Sequence, residues 1–179
     1  VVMPYALTTY GSQLWVVPGG RWSSGNGRQG QIMCYNGKKW NNITNSAIQQ
    51  RLGEETVIRD IGHVAVDPAD PKHFYASSFG TGLLEFLPDG TARQFTYNNS
   101  PLVTLVEGRS AYLYCRTDAL TFDADRNLWF TNTGDIATNI HIIDPQNQWH
   151  SFNLYQNGRR IILNTVSKFL VDNRYPNYK

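Results

Sequence analysis

Cysteine is scarce in this chain: Cys34 and Cys115 are the only two in 179 residues. A disulfide between them in an oxidising compartment stays open, but their strand-like, apolar neighbours favour free, buried thiols. The four histidines, His63, His73, His141 and His150, show no paired spacing of the zinc type, so no metal is expected. Charge is also sparse, at 17% charged residues with a net +2, and no lysine or arginine run appears. Nucleic acid is therefore not an expected partner. No apolar run approaches the ~20 residues that cross a bilayer, so this segment is not expected to insert into a membrane. There is no Gly-x-Ser-x-Gly elbow, and neither cysteine has a setting that activates a thiolate. Gly80-Thr81-Gly82 runs into a strand rather than a helix, which removes the dipole and amides a phosphate loop needs. The expectation is a protein without cofactor, catalytic residues or enzymatic activity.

What the chain does have is aromatic residues, at 13%, punctuated by glycine, asparagine and proline. That balance favours an all-β fold. Its organising stretch is 119–134. Leu120 and Phe122 alternate before a turn, Leu128 and Phe130 alternate after it, and Asp123, Asp125 and Asn127 supply the turn chemistry of a hairpin. The stretch recurs at 6–20, with Leu14-Trp15 matching Leu128-Trp129, and again at 64–80, with Phe74-Tyr75 in the same place. Each copy is followed by a second hairpin, at 31–40, 83–95 and 140–149. Asn36-Gly37 and Asp89-Gly90 are turn dipeptides suited to reversing twisted strands.

Four strands over roughly fifty to sixty residues is near the period of a β-propeller blade. The predicted architecture is a propeller segment of about three four-stranded antiparallel blades, at 6–58, 63–115 and 119–163. A truncated fourth is expected at 167–179. The chain starts without an initiator methionine, stops inside that fourth copy and falls below the roughly four blades that close a ring, so it is expected to be a piece of a larger propeller. Uncovered blade faces at its ends would favour self-association.

Between the repeats, 44–53 reads as a short helix capped by Thr44 or Asn45 and stopped by Gly53. Glu54-Glu55 and Arg59-Asp60 read as solvated charge. Asp123 to Asn127 looks like the front of a calcium loop, but an arginine stands where a glycine turn is wanted and no glutamate closes the pattern, so turn-capping is the better reading. The loop 19–30, joining strands two and three of the first blade, is rich in glycine and carries Arg21, Trp22 and Arg28. Two guanidinium groups can grip a carboxylate or phosphate, and the indole can stack on a sugar or aromatic group. These three are the candidate ligand-binding residues.

Asp123 to Trp129, Val64 to Phe74, Ser78 to Phe86 and Asn98 to Leu102 together resemble the two-component-regulator type of propeller. Gly19 to Arg21 and Tyr35 to Trp40 narrow the likeness to PorZ-like proteins of the type IX secretion system. The resemblance implies a non-catalytic, extracytoplasmic part, at the cell surface or in the periplasm of a Gram-negative bacterium. Its partner would be a protein, a glycan or lipopolysaccharide, in the machinery that attaches secreted proteins to anionic lipopolysaccharide. The alternative it implies is the periplasmic ligand-sensing region of a hybrid histidine kinase.

Overall fold

Three antiparallel four-stranded units follow one another along the chain in the computed structural model, which describes residues 4–20 and 27–172 apart from the side chains of 109 and 110. The first contains β1 (Ala6–Tyr10), β2 (Gln13–Val17), β3 (Ile32–Tyr35) and β4 (Trp40–Ile43), hydrogen-bonded in sequence order. The helix α1 (Asn45–Leu52) follows. Thr44 caps it by accepting from the Ala47 amide at 3.4 Å, and Gly53 ends it in left-handed conformation at φ 70°. The second unit is β5 (Ile61–Asp67), β6 (Asp70–Gly80), β7 (Gly82–Phe86) and β8 (Ala92–Phe95). A connector with a short 3-10 turn at Gly108–Leu113 leads to the third, β9 (Cys115–Phe122), β10 (Leu128–Asn132), β11 (Ile140–Ile143) and β12 (Trp149–Phe152). A small hairpin, β13 (Tyr155–Gln156) with β14 (Arg159–Arg160), comes after it.

The repeat read in the sequence is a repeat in register. Trp15 pairs with Thr8, Tyr75 with Ala65 and Trp129 with Thr121, each at the same place on the first hairpin of its blade. Asp123 explains the turn motif. Its carboxylate accepts from the amides of Asp125 and Asn127, both at 2.9 Å, from the Asn127 side chain and from the Trp129 indole at 2.9 Å. In this copy Asp, Asn and Trp act together because one side chain caps the turn and anchors the outgoing ring. At the Gly80-Thr81-Gly82 bend, a Cβ on Gly82 would lie 2.1 Å from the Phe95 carbonyl at φ +83°, so only glycine fits.

The blades pack face to face. In the middle one, Val64, Val66, Phe74, Ala76, Leu84 and Phe86 meet Trp15, Val17, Ile32 and Cys34 of the first blade, with Ile48 of α1. The alternate residues Ala65, Tyr75 and Leu83 turn the other way, onto Cys115, Leu120, Leu128 and Phe130 of the third. A sheet covered on both faces reads as a nearly continuous apolar run, which is why Leu83 and Leu84 are both fully buried. β6 also reaches across, pairing Phe79 with Arg116 and Gly80 with Cys115 of β9. Cys34 and Cys115 are buried and free, and burial pushes the Cys115 thiol up to about 12. The fold is thus an all-β segment of stacked propeller blades.

Candidate functional site

The connectors that join β2 to β3 and blade to blade gather on one side of the stack, and the loop carrying the candidate residues belongs to it. Arg21 and Trp22 lie outside the described residues. The feet of the loop are fixed: the Gly19 amide donates to the Ile61 carbonyl at 2.9 Å and that of Gly30 to Ile58 at 2.8 Å. Asp60 does the most to hold it. Its carboxylate accepts from the amides of Gly27 at 2.7 Å and Arg28 at 2.8 Å, and its own amide donates to the Arg28 carbonyl. Asp60 is 6% exposed, and burial raises its pKa against the pull of those amides and of Arg59 and Arg28. The sequence reading of Asp60 as solvated charge is thereby corrected: it is a buried anchor. Arg28 is half-buried and gives one guanidinium hydrogen bond, at 3.2 Å, to the Pro18 carbonyl, so it ties the two feet of the loop together.

Beside this anchor a cavity of about 640 Å³ opens between the second and third blades, lined by Arg59, Phe79, Tyr114 and Arg116 among others. The Arg116 guanidinium lies 4.7 Å from the Phe79 ring centre and 5.3 Å from that of Tyr114. Two rings at cation–π distance restrain it, at an energy of about 0.5–2 kcal/mol per contact. Gly80 lets the connector in close, since a Cβ there would meet the Leu113 carbonyl at 2.7 Å. A restrained guanidinium, a second arginine and polar rim groups at Asn164 and Thr165 form a surface able to receive an anionic group. Sequence reasoning did not single out Arg59 or Arg116. Arg59 reads there as solvated charge beside Asp60, and only blade packing places the two arginines on one cavity.

A second polar cluster sits at the opposite ends of the same strands. His73 Nδ1 lies 2.9 Å from Asp67 and Nε2 lies 2.9 Å from Glu85, and Tyr75 donates to Glu85 at 2.7 Å. Carboxylates only accept, so His73 donates from both nitrogens as an imidazolium. The Glu85 hydrogen bond, opposed by burial and helped by Asp67, raises the His73 pKa. Burial pushes Asp67 up, but bonds from Arg126, the Ala69 amide and His73 outweigh it and hold the carboxyl at about 2. Arg126 reaches from the third blade to grip Asp67 through Nε at 3.1 Å and Nη2 at 2.8 Å. This cluster is a clasp between blades, with its charges paired.

Fold and site together define a β-propeller segment with a connector-face cavity. Among solved structures, the chain is similar to PorZ, an essential bacterial surface component of the type IX secretion system of Porphyromonas gingivalis. Identity is 31%, the TM-score is 0.73, and the match covers 84% of this chain and 19% of that one. It also matches the extracellular domain assigned to a hybrid two component system of B. thetaiotaomicron, at 15% identity and TM-score 0.39, over 92% of this chain and 23% of that one. PorZ is of the narrower kind that the sequence resembles. No family model and no curated protein matches the chain. The chain spans about a fifth of the length of the PorZ chain, at 19%.

Proposed function

We propose that this chain is a non-catalytic β-propeller interaction segment of a bacterial cell-surface protein, working beside the type IX secretion machinery outside the cytoplasm. The observation that carries the reading is the likeness to PorZ over 84% of the chain at 31% identity. Blade packing gives the reading its physical form. Stacked sheets buried on both faces make a rigid platform, and platforms of this kind present connectors and cavities to partners. Among the described residues no helix is long and apolar enough to cross a membrane. The partner is a protein, or the glycan of a lipopolysaccharide, held by contact alone.

Cross-linking on intact cells tests this. The full-length protein, tagged and cross-linked in the bacterium that encodes it, is expected to recover secretion-machinery proteins from the outer surface. Recovery of a histidine kinase and its response regulator instead would replace the secretion role with a sensory one.

A further inference from the structure

We propose that the connector-face cavity between the second and third blades is a binding site for a compact oxyanion, a carboxylate or phosphate group, held by Arg116 and Arg59. The uneven hydrogen-bond pairing of the cavity's polar groups carries the inference. Its two acids are already engaged: Asp60 accepts two backbone amides, and Asp135 accepts from Arg160. Its two arginines are not. Among the described residues Arg59 influences Asp60 through its charge without a hydrogen bond or ion pair. Among the described residues the Arg116 guanidinium has two ring contacts, and its Nε is a buried donor with no acceptor. Buried donors are seldom left so, because the lost hydration is not repaid. An oxyanion in the cavity gives the two guanidinium groups a hydrogen-bond acceptor that no described side chain supplies.

Preorganisation points the same way. Arg116 is restrained by Phe79 and Tyr114, so binding does not have to freeze a free side chain. The chain also spends a buried carboxylate, Asp60, on fixing the loop foot next to Arg59 rather than on pairing with it. At about 640 Å³ the cavity has room for the anion and for part of the molecule that bears it. The clasp on the other side of the blades makes a useful contrast. There Arg126 is matched by Asp67, and that geometry leaves no charge for a ligand.

The proposal does not rest on the secretion role, and either can fail without the other. The test uses the whole chain, with amide chemical shifts followed during titration by inorganic phosphate, acetate, D-glucuronate and, as neutral control, methyl glucoside. Saturable shifts are expected around 59–60, 79–81 and 114–116 for the anions and not for the glucoside. Tighter binding of phosphate or of glucuronate tells which oxyanion the site prefers. Arg116→Met keeps an unbranched stem over the two rings and should weaken anion binding at least tenfold. Arg59→Gln, at a side chain without the ring contacts that hold Arg116, should weaken it severalfold with little change in melting temperature, so the pair remains informative if the first variant folds poorly. Anion shifts that are absent, that do not saturate or that persist unchanged in both variants would overturn the assignment.

Discussion

His141 gives the sharpest quantitative test of blade packing. It lies on β11 with no exposed surface, 5.5 Å from the Phe130 ring and 6.1 Å from Trp149, and its Nδ1 is 2.8 Å from the Ser151 hydroxyl. Burial pulls its pKa down to about 4. In the unfolded chain the same imidazole titrates near 6.5, so the gap is roughly 2.5 units, or about 3 kcal/mol. The sign is fixed by which state takes the proton. Above pH 6.5 both states hold His141 neutral and the contribution is whole. As pH falls from 6.5 towards 4 the unfolded chain is protonated while the fold refuses, so stability is lost. His73 runs the other way: its raised pKa makes a contribution that is complete below the unfolded value and disappears as pH rises through the folded one. Urea unfolding of the wild type and of His141→Leu, followed by tryptophan fluorescence at pH 7, 6, 5 and 4, isolates the His141 part. The stability difference should shift by about 3 kcal/mol in favour of the variant between pH 7 and pH 4. A difference that stays flat over that range would mean the imidazole is solvated and the third blade is not packed as described.

Three further perturbations address the blade interfaces. Phe86→Ala removes a fully buried ring stacked 4.5 Å from Phe74 between the first two blades, and should cost about 3–5 kcal/mol in urea unfolding. Arg126→Met takes the bidentate partner from Asp67, whose depressed pKa gives stability present above the unfolded value near 4 and lost as pH falls through about 2. Acid unfolding of that variant should therefore begin at higher pH than in the wild type. Leu7 and Trp40 are 62% and 51% exposed on the outer side of the first blade, so the chain should self-associate with rising concentration in light scattering. Leu7→Thr with Trp40→Ser should reduce that association.

How far the sequence could be read follows from where the information sits. The hairpins were legible because period-two alternation and Asx turns are local, and the motif from Asp123 to Trp129 contains its own hydrogen bonds. The helix at Asn45–Leu52 was legible for the same reason, with both caps inside the segment. The polar groups were not. Asp60 looks like any charge before a strand, and nothing nearby reveals that it collects the amides of Gly27 and Arg28 from another blade. Asp67 and Arg126 are likewise joined only through the stacking of two repeats. The cavity arginines were missed because a binding site between blades has no contiguous spelling. Arg28, chosen for its glycine-rich surroundings, also braces its own loop through Pro18.

The most direct measurement of the central claim is made in the encoding bacterium with the gene for the full-length protein deleted. If the segment serves the secretion machinery at the cell surface, secreted proteins should appear unattached in the medium or remain unprocessed, and the intact gene should restore their anchoring. Unchanged secretion and anchoring in the deletion strain, with loss of a transcriptional response instead, would contradict it.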